Sequence, residues 1–213
     1  MAETIAYDDM VRMLRAAATK INASVDLLSK LDSFAGDGDH GTTMKRAMGA
    51  IEKAIVDSPA RDLKGLLTDV GWAVLGVDGG STGPLLGTFF TGMADAAGER
   101  ASLDAAAAAE VFEAGLAGLR KQTKAQVGDK TMIDALVPAV EALRAAAGAG
   151  DGVAVAMAKA AEAAERGAAS TTDLQAKFGR ARNLGERSKG SPDPGATSAS
   201  LIFRGFAEAL AGE

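Results

Sequence analysis

Asp32, Asp37 and Asp39 lie within eight residues of chain, interleaved with glycine in the run Gly36-Asp37-Gly38-Asp39-His40-Gly41. Crowded carboxylates are the donor set of a hard cation. Mg²⁺ takes oxygen ligands in octahedral geometry and is commonly shared between a few carboxylates and the phosphates of a substrate. The glycines let the chain turn tightly and bring backbone N–H groups up to an anion. Together these features point to phosphoryl transfer, in which positioning and charge stabilisation carry most of the catalysis. Three other readings of the loop fail. A dinucleotide fingerprint of the G-x-G-x-x-G type follows a strand, whereas a helical pattern precedes Gly36, and Asp37 and Asp39 would repel a pyrophosphate. In an EF-hand starting at Asp37 the bidentate glutamate would stand at position twelve, where the chain has Met48. No G-x-x-x-x-G-K-[ST] run occurs. Taken alone, the Asp-Gly-Asp run also suits an ordinary turn, with Asp39 or Thr42 capping the next helix. Asp32 and the loops described next tip the reading towards a cation site. His40, the single histidine, is read as a loop residue that hydrogen-bonds the backbone or a nucleotide, ahead of general base, nucleophile or ligand.

Gly79-Gly80-Ser81-Thr82-Gly83-Pro84 leads into an apolar helical stretch. Its free N–H groups and the helix dipole make an anion cradle, compatible with a Ser/Thr cap and Pro just inside the helix. Gly128-Asp129-Lys130-Thr131-Met132 reads as another helix start with Thr131 as its cap. Gly179-Arg180-Ala181 sets a cation beside a chain break. Asp193-Pro194-Gly195 is a strong helix start, with Asp at the N-cap and Pro at the first position. Met44, Met48 and Met132 are read as core.

These loops need helices to hold them. Apolar residues recur at helical spacing in Tyr7, Met10, Val11, Leu14, Ile21, Val25 and Leu28. The same spacing joins Met44, Met48, Ile51 and Ile55; Leu63, Leu66, Leu67, Val70 and Val74; and Val111, Phe112, Leu116 and Leu119. Leu136, Val140 and Leu143, then Leu201, Ile202, Phe206 and Leu210, complete the pattern. Strict apolar/polar alternation is nearly absent, so strands are not expected. Glycine-rich breaks divide the chain near 33–41, 76–84, 127–130, 148–152 and 185–195. The expectation is an all-α, single-domain antiparallel helical barrel of about eight helices spanning residues 1–213.

The 213 residues include no cysteine, which removes disulfides and thiolate metal sites, and the net charge of −5 argues against nucleic-acid binding. Met1 to Asp9 is acidic and polar, unlike a signal peptide, and no apolar run reaches the roughly 18 residues needed to cross a bilayer. A soluble cytoplasmic protein is expected.

The stretches Gly36–Met44, Gly79–Leu85 with Gly87–Phe90, Gly128–Met132 with Asp134, Gly179–Ala181, Leu184–Ser188 and Asp193–Ser198 together resemble the L subunit of dihydroxyacetone kinase, in the family's order and across nearly the whole chain. The Gly190-Ser191-Pro192 and Thr171-Thr172-Asp173 stretches depart from the family's pattern. The resemblance implies a helical barrel with ADP or ATP at one end. Asp32, Asp37 and Asp39 would hold two Mg²⁺ ions. His40, Gly41, Thr42, Thr43, Ser81 and Thr82 would surround the phosphates, and Gly128, Val137, Arg180, Asp193, Pro194 and Gly195 would complete the nucleotide pocket. Arg180 would be the catalytic cation. In the family a K subunit binds dihydroxyacetone covalently through a histidine, so this chain would be half of an active kinase. The donor is either exchangeable ATP or bound ADP rephosphorylated by the M component of a phosphotransferase system, towards which a free-standing L chain leans. A related ketose such as erythrulose, or a non-catalytic nucleotide-sensing module, are the alternatives.

Overall fold

The computed structural model describes residues 3–212. Within them the chain forms nine α-helices: α1 (Tyr7–Ala23), α2 (Val25–Ser33), α3 (His40–Asp57), α4 (Leu63–Leu75), α5 (Thr82–Ala97), α6 (Ala105–Arg120), α7 (Ile133–Gly148), α8 (Val153–Ser170) and α9 (Pro194–Ala211). Two 3₁₀ helices, Thr171–Asp173 and Arg180–Ser188, fill the connection between α8 and α9. The single apolar face expected from Tyr7 to Leu28 is broken at Ser24 (φ −112°, ψ 10°), which divides α1 from α2. Strands were not expected, yet Ile5–Ala6 (β1) and Ser102–Leu103 (β2) pair antiparallel. Two residues are too few for alternation to register in a sequence.

Eight of the helices close a circuit. In the order α1, α3, α4, α5, α6, α7, α8 and α9 each packs against the next, and α9 returns to α1, while α2 packs on α3 and α9. Short connections make consecutive helices antiparallel neighbours. Each helix turns an apolar stripe inward; on α3 this is Met44, Ala47, Met48, Ile51 and Ile55. The buried apolar residues form one cluster drawn from all nine helices. At its middle Phe89, Phe90, Phe112, Phe203 and Phe206 meet mostly edge to face, with centroids 5.7–6.1 Å apart.

Small residues set how closely the helices approach. A methyl group at Gly205 on α9 would lie 2.5 Å from the Ala17 amide nitrogen on α1. At the α7–α8 contact, Pro138 lies inside α7. Having no N–H, it leaves the Asp134 carbonyl without its helical partner. Gly167 of α8 is seated on that oxygen, 2.1 Å from where a Cβ would stand. The chain therefore brings a bare backbone to the one place where α7 has given up a backbone bond.

Candidate functional site

The three aspartates are brought together by how α2 ends. The Gly36 amide donates to the Asp32 carbonyl at 2.6 Å, and Gly38 adopts φ 78°. The chain then doubles back, and the His40 amide at the start of α3 donates to Asp32 Oδ2 at 3.2 Å. One carboxylate oxygen from each of Asp32, Asp37 and Asp39 comes within 4.8 Å of the others; Asp32 is half-buried and the other two are exposed. A methyl group at Gly36 would sit 2.3 Å from Asp32 Oδ1, so a side chain there would displace the Asp32 carboxylate. Asp39 occupies the N-cap position of α3, but its side chain makes no capping bond, and the Thr42 hydroxyl donates to the Asp39 carbonyl instead. The Asp39 carboxylate is thus not consumed as a helix cap, while Asp32 keeps its second oxygen free of the α3 start. Three oxygen donors this close match the demands of a hard divalent cation.

Across a cleft of about 520 Å³ from this group lies the Gly79-Gly80-Ser81 turn, at the N-terminus of α5. Gly79 and Gly80 have φ of 131° and 55°. Gly79 fits against α3, where a methyl group would stand 2.5 Å from the Thr43 hydroxyl. The Ser81 side chain makes no capping bond. Arg180 follows Gly179 (φ 63°) and pairs with Asp37 at the lip of the cleft. Both partners are largely exposed, so water screens the pair and it adds little to stability. Asp193 caps α9, accepting from the Ala196 amide at 2.7 Å, with Pro194 in the first turn. The lining also includes the apolar Leu31, Leu85, Ile133 and Phe178 and the polar Gln122, Thr123, Lys130 and Thr131. The cleft therefore offers charged, polar and apolar contacts together.

Burial lowers the pKa of His40, against the pull of Asp32 and of a hydrogen bond to the Pro194 carbonyl. The ring is neutral at physiological pH, and its Nε2 lies 3.1 Å from the Ser198 hydroxyl. Burial raises the Asp193 carboxyl to about 7, although the Ala196 amide and the Lys130 charge both favour its ionised form.

Asp32, Asp37, Asp39, His40, Thr43, Ser81, Thr82, Arg180, Asp193, Pro194 and Gly195 all line this cleft. Gly41, Thr42, Gly128 and Val137 do not. Gly41 is buried against α2, with no room for a side chain beside the Val25 carbonyl. The Thr42 side chain is turned back on Asp39. The Gly128 amide donates to Asp134, and Val137 is buried in α7. Met132, expected in the core, is buried and also lines the cleft. Thr131 lies ahead of α7, where its hydroxyl accepts from the Ile133 amide at 3.2 Å. Sequence reasoning missed Leu31 and Phe178, whose only signal is adjacency to Asp32 and Gly179. It also missed Arg46, one turn after Thr43, which donates to the Thr43 hydroxyl at 3.0 Å and abuts Gly79.

Residues 34–208 match the DAK2 domain. The chain is 38% identical over 196 residues to the ADP-binding subunit DhaL of PEP-dependent dihydroxyacetone kinase 1 from Listeria innocua, covering 92% of this chain and 93% of that one. It is 36% identical over 201 residues to the corresponding Escherichia coli subunit, covering 94% and 96%. The crystal structure of the dihydroxyacetone kinase of C. freundii superposes with a TM-score of 0.71 at 30% identity, over 92% of this chain and 33% of that longer one. The same kinase has been solved in complex with AMP-PNP and Mg²⁺, and that structure matches with a TM-score of 0.69. The helical circuit, the aspartate group and these matches agree: the chain belongs to the DAK2 domain family, with the L subunits of dihydroxyacetone kinase.

Proposed function

We propose that the chain is the ADP- or ATP-binding subunit of a kinase for dihydroxyacetone or a related short ketose, a single domain over residues 1–213. In this reading it transfers a phosphoryl group to a sugar held covalently on a partner K subunit in the cytoplasm. The observation that carries the proposal is the three-aspartate group facing the Gly79-Gly80-Ser81 turn across the cleft. Carboxylates do not bind phosphate directly, and a cation between them resolves the mismatch. Two Mg²⁺ ions bound there would neutralise phosphate charge. Asp32, Asp37 and Asp39 would hold those ions. The N–H groups at the start of α5, with Ser81, Thr82 and Thr43, hold phosphate oxygens. His40 closes the phosphate end as a neutral hydrogen-bonding group, and Gly41 and Thr42 support it from behind in the first turn of α3. Arg180 exchanges its contact with Asp37 for the transferring phosphoryl group, supplying charge where it develops. The nucleoside takes the wall formed by Asp193, Pro194 and Gly195, and Gly128 and Val137 shape that wall from behind. The chain needs no nucleophile of its own, because the acceptor oxygen comes from the sugar.

The full-length PEP-dependent relatives support bound ADP as the form recharged by a phosphorylated M component. The L-erythrulose 1-kinase of Mycolicibacterium smegmatis, 36% identical over 32% of its length, makes erythrulose the second sugar to test. The chain is mixed with a K subunit, each sugar in turn, and either Mg-ATP or a phosphorylated M component. Phosphorylated sugar with one donor is expected. No product with either donor, despite tight nucleotide binding, would leave a nucleotide-sensing module.

A further inference from the structure

Lys130 is the only non-glycine residue with a positive φ (60°) among the described residues. That conformation disfavours an L side chain and persists only where surroundings enforce it. Its side chain is also buried, with the residue 4% exposed. A buried ammonium is unfavourable unless its donors are satisfied, and here two backbone carbonyls satisfy them. Lys130 Nζ donates to the Thr171 carbonyl, just after α8, and to the Ser191 carbonyl at 2.5 Å, just before α9. The same two segments are stitched further: the Asp193 amide donates to the Thr171 hydroxyl at 2.8 Å, and the Gly190 amide to the Thr172 carbonyl at 2.8 Å.

The charges facing Lys130 are Asp193, Asp134 and Asp173. Asp134 spends its oxygens on the Gly128 and Thr131 amides, and Asp193 caps α9. The lysine therefore hydrogen-bonds to main chain, with the carboxylates acting at longer range. Lys130, Asp193, Pro194 and Gly195 all line the same cleft.

The geometry points to Lys130 as a positioning residue, whose buried ammonium ties the Thr171 and Ser191 carbonyls together and so fixes the Asp193-Pro194-Gly195 wall against the nucleotide. This rests on reading the cleft as a nucleotide site. Burial lowers the lysine's pKa, opposed by Asp193, Asp134 and Asp173, so the tie loosens at a pH below the ordinary value of 10.5.

The test uses the full chain and its Lys130→Met variant, with Mg-ADP titrated by calorimetry and amide exchange followed over residues 190–196. In the wild type, affinity falls as pH rises towards 10.5 over the range well above 7, where Asp193 has already ionised. Lys130→Met at neutral pH weakens binding by about tenfold or more and shows a flat profile over that range. Its amides at 190–196 exchange faster while those of α1 are unchanged. A folded variant with wild-type affinity overturns the proposal, whatever its exchange. If Lys130→Met does not fold, the wild type decides alone: after correction for intrinsic base catalysis, exchange at 190–196 must rise with pH more steeply than in α1, and parallel rises overturn the idea. Wild-type protein that shows the expected exchange but binds no Mg-ADP refutes the nucleotide reading and not the tie.

Discussion

At the scale of single residues, the site depends on Asp37 and Asp39, which the fold leaves free of capping duty, beside Asp32, which also accepts the His40 amide. Asp37 touches only Arg180, in a pair open to solvent, whereas Asp193 is engaged as a cap. Asp37→Ala should leave the melting temperature of the ligand-free chain within about 1–2 °C of wild type. It should weaken Mg-ADP binding by about tenfold or more, because it removes a charged ligand. Unchanged calorimetric affinity would refute the metal assignment. Gly36→Ala tests the same centre sterically: the new methyl group collides with Asp32 Oδ1, so the variant should fold and lose Mg-ADP affinity to a similar degree. Asp129 behaves differently. Its pKa is lowered chiefly by the hydrogen bond from Lys177, at 2.7 Å. A depressed carboxylate stabilises the fold above its unfolded value of 3.8, and that stability is lost as pH falls through the folded value. Urea midpoints should therefore fall less from neutral to acid pH in Asp129→Asn than in wild type. The aspartate group was legible in the sequence because its members are close along the chain. Arg180 and Asp193 lie more than a hundred residues away, and only the family resemblance joined them to it.

At the scale of elements, periodicity picked out the stripes of α1 to α4, α6, α7 and α9; α5 entered only as the apolar stretch after the Gly79 turn, and α8 was passed over. α8 reads Val-Ala-Val-Ala-Met-Ala-Lys-Ala-Ala and buries Ala154, Ala156, Ala160, Ala161, Ala163, Ala164 and Ala168, so alanine on both its faces leaves little contrast to detect. In its partner α7, Pro138 frees the Asp134 carbonyl by its covalent structure, but what packs on that oxygen appears only once Gly167 is set against it. Gly167→Ala should be among the more damaging single-methyl additions in the chain. The new Cβ meets backbone, which cannot rotate away, and overpacking of this kind costs about 1–3 kcal/mol. Chemical denaturation should show the loss, against a gain or no change in Gly49→Ala, where a methyl group meets nothing within 4 Å in the middle of α3. Equal effects at the two positions would remove close backbone approach as the reason for glycine at 167.

For the whole molecule, the closing contact between α9 and α1 joins the two ends of the described chain, and no local pattern announces it. It matters for the cleft because two groups of lining residues, Asp32 to His40 and Arg180 to Gly195, lie near opposite ends of the sequence, with the rest from between them. A ligand bridging the two ends should stabilise the native state as a unit. Mg-ADP at a hundred times its Kd contributes about 2.7 kcal/mol by mass action, which for a chain of this size raises the melting temperature by roughly 5–11 °C. ADP with EDTA should give a much smaller shift, because the net charge is −5 and three carboxylates then face the phosphates without a cation. The same comparison in Asp37→Ala should show the Mg-dependent part of the shift collapse towards the EDTA value. If ADP stabilises the wild type equally with and without Mg²⁺, the phosphates are held by backbone N–H groups alone and the carboxylate group has another purpose.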